Sequence, residues 1–386
     1  MANSKPNITG TLASDIAFPK GPEDSVNALR WSPKSNHLAA ASWDGKVYVY
    51  DATNVAAGTA SARGVAALDG GQAPFFDCDF NQIEIIEDRL GGYGNNIYGS
   101  QQEGTMIAGA SADQKIHIMD LNSPGKTMTL AGHTAPVRTV RWVDVPCAPN
   151  PTGLLVSGSW DKTLRFWDPR RQPNPIVTVN LSERVWVMDG SGTTLIAGTA
   201  DNKLHVFNLG TMTQSSAIKP FKVVDSPLGD PQIKCLAVQH SGKSWALGSI
   251  GGRAAFQHTV TAAKNKNYTF RCHRQESTTR SSTTEIYSVN ALAFARPPAD
   301  LRGGGEKVVM ATAGQDGHVC YWNITTRQRL QVFPSVGGSI TACGFNWDAT
   351  LFAYAVGYDW GKGYAGNTAD HPRGLVLRRV DKSLLG

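Results

Sequence analysis

The chain has 386 residues, of which 41% are hydrophobic and 40 are glycine, with a formal charge of +6 at pH 7. Few stretches carry a long helical pattern, so the composition is that of a soluble β protein, and the modest basicity permits an acidic partner without requiring one. No apolar run reaches the length of a membrane span, and Met1–Lys5 leads into polar sequence rather than a signal-peptide core, so a cytosolic or nuclear protein is expected.

Residues 1–13 read as a flexible N-terminus. Asp15-Ile16-Ala17-Phe18 follows as a short strand whose sheet must come from elsewhere in the chain. From about Ser25 the chain forms a first strand, then Ala40-Ala41-Ser42-Trp43-Asp44-Gly45-Lys46-Val47-Tyr48-Val49-Tyr50-Asp51, an apolar strand, a tight corner and an alternating exit strand. Asp at such a corner is favoured because its side chain bonds its own backbone. Ala52–Gln72, rich in small residues, reads as a mobile loop. A second unit opens at Pro74–Phe80 and resumes at Thr105 with the corner Ser111-Ala112-Asp113-Gln114-Lys115. Between them Asn81–Gly104, rich in Gly, Asn, Gln and acid, reads as a disordered insertion.

The third unit, Gly132–Asp168, is the best formed. Leu154-Leu155-Val156-Ser157-Gly158-Ser159 turns through Trp160-Asp161-Lys162 into Thr163-Leu164-Arg165-Phe166-Trp167-Asp168. The corner recurs at Ala200-Asp201-Asn202-Lys203 in a short fourth unit, Arg184–Asn208. It returns at Ile250-Gly251-Gly252-Arg253 in a fifth, where Gly replaces the turn Asp. Residues 212–232 read as a crossing to that fifth unit. Gln315-Asp316-Gly317-His318 marks a sixth, starting near Ile286 and ending near Trp322, and Tyr358-Asp359-Trp360 a weaker seventh that closes with Gly374–Arg378. Trp167-Asp168 and Gly132-His133 resemble the paired motifs of WD-repeat proteins, and seven such units imply an all-β, seven-bladed WD-repeat β-propeller over residues 14–380, with 381–386 as a C-terminal tail. In such a ring Asp15–Phe18 is expected to join the last blade and remove both open sheet edges.

Little in the chain speaks for catalysis. Gly303-Gly304-Gly305-Glu306-Lys307 lacks the ending of a phosphate-binding loop, and neither HExxH nor GxSxG occurs. His133 and Asp161 read as partners in a buried hydrogen-bonded network. The six cysteines Cys78, Cys147, Cys235, Cys272, Cys320 and Cys343 are scattered without a CxxC pair, so free buried thiols are expected, with no metal and no cofactor. What the fold does not require is more informative. Trp43 and Trp160 occupy hairpin corners, and Arg253 follows a Gly-Gly turn. In Tyr268-Thr269-Phe270-Arg271-Cys272-His273-Arg274, placed between units five and six, alternation sets Tyr268, Phe270 and Cys272 on one side and Arg271 with His273 on the other. Aromatic and Arg side chains of this kind suit a peptide hot spot, or single-stranded nucleic acid through stacking and phosphate contacts.

Three segments are similar to a signature of two related WD-repeat families, the mRNA-export factors of the nuclear pore and the mitotic-checkpoint proteins: Gly248–Ala255, Tyr268–Arg274 and Ile286–Asn290. Phe352-Ala353-Tyr354-Ala355-Val356-Gly357-Tyr358-Asp359-Trp360-Gly361-Lys362-Gly363 resembles the export factors specifically. The resemblance implies a non-enzymatic monomeric propeller in a heterocomplex, located at the nuclear pore and shuttling to the cytoplasm. It implies binding of the GLEBS segment of an FG-repeat nucleoporin, with Trp43, Trp160 and Arg253 as the residues that contact the peptide. It also implies that Tyr268, Phe270, Arg271, Trp322, Arg327 and Arg329 form a patch for peptide tails and single-stranded RNA. A spindle-checkpoint adaptor for GLEBS-like segments of checkpoint kinases is the alternative on the same fold. A hydrolase using the central channel is the alternative of another class, and carboxylates or histidines gathered there would favour it.

Overall fold

The computed structural model describes residues 8, 15–18, 21–58, 62–81, 104–143, 145, 153–169, 174–211, 218–260, 263, 266–276, 283–296, 307–368 and 370–385. The expected flexible N-terminus lies outside these residues except for Ile8, which packs against the last sheet, and the insertion lies outside them except for Asn81 and Gly104. Those two ends are pinned together: Gly104 N–H donates to the Asn81 carbonyl at 3.1 Å, and Met106 N–H to Asn81 Oδ1 at 2.9 Å.

Strands such as Leu154–Ser159, Thr194–Thr199, Ser244–Ser249 and Leu351–Val356 are buried at every position. They are short runs of small and branched residues without alternation, as a strand covered on both faces must be. Each is the second strand of a four-stranded antiparallel sheet, and seven such sheets, or blades, make the described architecture. Within a blade we letter the strands A to D from the channel outward. The seven A strands are Val26–Trp31, Phe75–Phe80, Val137–Val143, Val185–Ser191, Ile233–Val238, Val289–Phe294 and Ile340–Phe345, each packed against the A strands of both neighbours. Clusters of buried residues fill the gaps between adjacent blades, so the core is a ring of inter-sheet layers. No helix among the described residues is long and apolar enough to cross a membrane.

The outermost strands were the least legible. Arg63–Asp69 lies within the stretch expected to be a mobile loop, after a short helix at Thr53–Ala56, and Lys222–Asp225 lies within the expected crossing to unit five. Tyr268–Arg271, expected between units, is the D strand of blade five, and Ile286 belongs to a two-stranded hairpin, Arg274–Glu276 with Thr284–Ile286, ahead of blade six. The D strands carry mostly exposed or half-buried residues, as Arg63–Asp69, Lys222–Asp225 and Tyr268–Arg271 do, so their sequences have little apolar signal.

The seventh blade takes its D strand from the start of the chain. Ile16 pairs with Leu377 and Ala17 with Val376. Beside this short ladder the Asp15 carboxylate receives both Arg378 Nε at 2.7 Å and Arg378 Nη2 at 2.6 Å, with the Tyr354 hydroxyl at 3.1 Å. The two side chains are 0% and 3% exposed, and the guanidinium lies 4.1 Å from the Phe333 ring centroid. Burial alone would lower the Arg378 pKa, yet the hydrogen-bonded Asp15 carboxylate holds it above its ordinary value. The C-terminal residues also pack down: Leu385 is buried in the same layer after a turn at Lys382–Leu384.

The B–C corners repeat one geometry. At five of the corners an Asp accepts the backbone N–H two residues on: Asp44 from Lys46, Asp113 from Lys115, Asp161 from Thr163, Asp316 from His318 and Asp359 from Gly361. In blade three His133 Nδ1 lies 2.7 Å from Asp161, its Nε2 lies 2.7 Å from the Ser157 hydroxyl, and the Trp167 indole donates to that hydroxyl at 2.8 Å. Blade six rebuilds the network as His273, Asp316, Thr312 and Trp322. His273 is therefore buried, not solvent-facing beside Arg271 as alternation expected. Its positive φ of 50° breaks the strand pattern directly after Cys272. All five described cysteines are free and buried.

Two outcomes follow for stability. Asp15→Ala leaves a buried guanidinium unpaired and lowers unfolding stability by about 3–5 kcal/mol in urea titrations, whereas Asp15→Leu combined with Arg378→Met recovers most of it. Burial lowers the pKa of both His133 and His205. The unfolded chain protonates these imidazoles near pH 6.5, so their contribution is fully present above that value and is lost as pH falls. The thermal midpoint should drop between pH 7 and pH 5, and His133→Gln should flatten the slope.

Candidate binding face and outer crevice

Every A strand carries a register shift at the same place, between its first and third residues: Val26/Ala28, Phe75/Asp77, Val137/Thr139, Val185/Val187, Ile233/Cys235, Val289/Ala291 and Ile340/Ala342. A bulge leaves one residue unpaired and re-aims its side chain. The skipped residues all line one mouth of the central channel. Phe76 and Trp186 are aromatic, Arg138 and Lys234 are cationic, and Asn27, Asn290 and Thr341 are neutral and polar. None is an acid.

The B–C corners open onto the same face. Trp43 stacks on Trp360 with centroids 4.2 Å apart and meets the edge of Phe76 at 5.6 Å; Phe76 stacks with Trp160 at 5.6 Å, and Trp160 lies parallel to Trp186 at 6.3 Å. This arc of five rings spans blades seven, one, two, three and four. The Trp43 indole N–H is spent on Asn27 Oδ1 at 2.8 Å, while those of Trp160 and Trp360 have no partner among the described residues. Trp43 and Trp160, expected at corners, thus belong to one aromatic surface. Phe76, Trp186 and Trp360 complete it, and the signal that could have revealed Phe76 and Trp186 is their shared position, second in an A strand.

Arg253 opens strand C of blade five on this same face and is exposed. Its direct cross-strand partner is Arg271, also exposed. Like charges directly opposite repel, so this pair costs stability and concentrates positive potential at the rim. The Gly-Gly turn beneath is clamped by Arg274, which donates to the Gly251 carbonyl at 2.8 Å and the Gly252 carbonyl at 3.1 Å. At Gly252 φ is +59° and a Cβ would stand 3.0 Å from the Cys272 carbonyl, so only glycine fits.

The remaining expected residues gather elsewhere, in a crevice between blades five and six. Phe270 packs on Trp322 at 4.7 Å and on Tyr268 at 5.9 Å, and the Arg327 guanidinium covers the Tyr268 ring at 4.6 Å. Arg329 is the cross-strand partner of Trp322, and both Arg327 and Arg329 are exposed. The Tyr268 hydroxyl donates to the Ile324 carbonyl at 3.0 Å, and burial pushes its pKa up to about 12. Arg271 is set apart from this group, on the opposite side of its strand with Arg253. Trp322 has a structural duty as well: its indole N–H bonds Thr312 in the buried network of blade six.

Deeper in the channel stand three buried carboxylates, Asp77, Asp79 and Asp189. Adjacent A strands diverge too much to share a ladder, and these groups bridge them. Asp77 accepts the Thr139 hydroxyl at 2.5 Å and Val140 N–H at 3.3 Å; Asp79 accepts Trp142 N–H at 2.8 Å; Asp189 accepts Val238 N–H at 2.7 Å. Arg141 pairs with Asp77 at 2.6 Å and with Asp189 at 2.7 Å, and Arg30 reaches Asp189 at 3.2 Å. Burial raises the pKa of all three acids, while Arg30 opposes the rise. The channel thus holds the carboxylates a hydrolase would use, but each is committed to bridging blades. Among the described residues no group of three His, Cys, Asp or Glu is placed to hold a metal ion.

The profile of the WD domain, G-beta repeat, matches residues 14–51 and 125–168. The Poly(A)+ RNA export protein of Schizosaccharomyces pombe is 35% identical over 374 residues, covering 97% of this chain and 93% of the relative. The mRNA export factor GLE2 of Chaetomium thermophilum is 35% identical, over 96% of this chain and 92% of its own. The chain belongs to the WD-repeat mRNA export factor family. The WD40 repeat protein poxJ of Penicillium oxalicum is a further relative at 35% identity, over 96% of this chain and 95% of its own. The solved structure of U3-55K covers 96% of this chain with a TM-score of 0.71 at 15% identity, a likeness of fold alone.

The crevice geometry separates folding from surface chemistry. Trp322→Phe replaces the indole by a smaller aromatic ring and removes the donor to Thr312, and should cost about 1 kcal/mol or more of stability in denaturant titrations. Arg329→Glu on the exposed strand should change it by less than about 0.5 kcal/mol.

Proposed function

We propose that the chain is a non-enzymatic docking platform for mRNA export at the nuclear pore. On this reading it holds the GLEBS segment of an FG-repeat nucleoporin across the face that carries the B–C corners, shuttles between nucleus and cytoplasm, and contacts single-stranded RNA through basic and aromatic side chains. Membership of a family whose relatives are named for RNA export supports the setting. The observation that carries the site is that Trp43, Trp160 and Arg253, far apart in sequence, share one face. There a ring arc offers apolar contact, and the exposed Arg253–Arg271 couple offers charge to acidic residues of a peptide. The Tyr268, Phe270, Trp322, Arg327 and Arg329 crevice lies off that face. It suits a second ligand, a peptide tail or an RNA strand, because bases and apolar groups stack on rings while guanidinium groups take phosphate or carboxylate.

In pull-downs from nuclear extract, wild type should recover an FG-repeat nucleoporin and Arg253→Glu should not. Recovery of checkpoint kinases instead would replace this reading with the mitotic one. RNA binding should fall steeply with salt and be lost on charge reversal at Arg271, Arg327 and Arg329. Salt-insensitive binding that survives those changes rules out the RNA role.

A further inference from the structure

The fifth residue of each A strand faces the lower channel, toward the mouth opposite the B–C corners. Blades one to four place Arg30, Asp79, Arg141 and Asp189 there, charges of alternating sign. Blades five to seven place only Ala237, Ala293 and Gly344. That small-residue side leaves a cavity of about 200 Å³ among the A–B turns. The rim of the cavity carries Trp347, which is 41% exposed, with Phe294 and Arg296 half-buried beside it.

One of these charges lacks an ionic partner. Arg141 pairs with Asp77 and Asp189, Arg30 reaches Asp189, and Arg138, one level up, offsets Asp77 in part. Asp79 is 2% exposed and accepts a hydrogen bond at Oδ2 from Trp142 N–H. Among the described residues its Oδ1 has no partner, and no cation forms a salt bridge with it. Burial raises the Asp79 pKa well above its ordinary value; Arg30 opposes the rise, and Asp77 and Asp189 add to it. A buried carboxylate so short of positive charge is costly. Ser32, 1% exposed, lines the same cavity with a hydroxyl that has no partner among the described residues. At the rim Arg296 has no ion pair among them either, so unpaired negative charge at depth stands below an unpaired cation at the opening.

We propose that this lower mouth binds a small zwitterion of the amino-acid class, its ammonium at Asp79 and Ser32 and its carboxylate at Arg296. An ammonium has three donors and no acceptor, which matches a carboxylate oxygen and a hydroxyl that both lack partners. A guanidinium at the opening takes a carboxylate through charge-assisted hydrogen bonds. The two charges therefore sit at opposite ends of a short aliphatic stem. Ala237, Ala293 and Gly344 leave the stem room on one wall, and Trp347 and Phe294 give it apolar cover at the rim. The site lies at the far end of the channel from the aromatic arc and does not depend on the export reading.

The test is calorimetric titration of the full chain with γ-aminobutyrate, and with propylamine and butyrate, which each keep one of its charges. One saturable site is expected for the zwitterion, with propylamine weaker and butyrate weakest. Asp79→Asn should weaken the zwitterion about tenfold or more, because a hydrogen bond to a charged group is lost. Arg296→Gln should weaken the zwitterion and leave propylamine within about twofold, and Lys243→Gln, an exposed cation of a neighbouring A–B turn, should change neither. Absence of saturable binding, butyrate binding as well as the zwitterion, or full affinity in Asp79→Asn overturns the proposal. Asn at position 79 keeps an acceptor for Trp142 N–H, so this variant should melt close to wild type. Should it melt far lower, Ala293→Leu decides, because it fills the cavity from the apolar wall without touching a charge. Loss of binding in that variant supports the site, and unchanged binding overturns it.

Discussion

The last blade borrows its outermost strand from the beginning of the chain, and an ion pair shielded from solvent fastens it there. Only two residues of ladder, Ile16 and Ala17, join the ends. A ladder that short contributes little by itself, and the two-pronged contact of Arg378 with Asp15 makes the closure specific. An open ring would leave two free sheet edges and uncover the inter-blade layer built on Tyr354, Phe333 and Val376. The position of every surface group relative to the axis depends on that seam.

Closure has a second consequence at the axis. The A strands splay apart there, so backbone ladders cannot link one blade to the next. Side chains do so instead: Asp77, Asp79 and Asp189 accept backbone N–H groups of the neighbouring blade, and Arg141 and Arg30 offset their charge. The bulge that starts each A strand serves the opposite purpose. It removes one residue per blade from the ladder and turns it into the mouth, so similar repeats present aromatic, cationic and neutral polar side chains. A symmetric scaffold becomes an asymmetric surface, with rings over blades seven to four and positive charge toward blade five.

Some residues serve both fold and surface. Trp322 closes the buried network of blade six with its indole nitrogen and offers its ring to Phe270 in the crevice. Trp43 is tied through Asn27 while its ring carries the arc. Such anchoring holds large aromatic side chains in place at partly exposed positions, which reduces the entropy lost when a partner covers them. Among the described residues the exposed Arg253, Arg271 and Arg329 side chains have no such anchor, whereas Arg327 lies over the Tyr268 ring.

The sequence by itself determined the number of blades, their B and C strands, the corner chemistry and the closing role of Asp15–Phe18, because burial on both faces and turn geometry demand particular residue types locally. Trp43, Trp160 and Arg253 could be picked out for the same reason: they stand at corners where the fold needs no large or charged group. Only the tertiary structure decided what stands next to what. The D strands carry little local signal because an exposed strand tolerates almost any residue, and His273 departs from the alternation because a single left-handed residue reverses it. Phe76, Trp186, Arg138 and Lys234 look unremarkable in the chain. They converge only because seven bulges turn their side chains toward one axis, and that convergence belongs to closure of the ring, which no local stretch of sequence encodes.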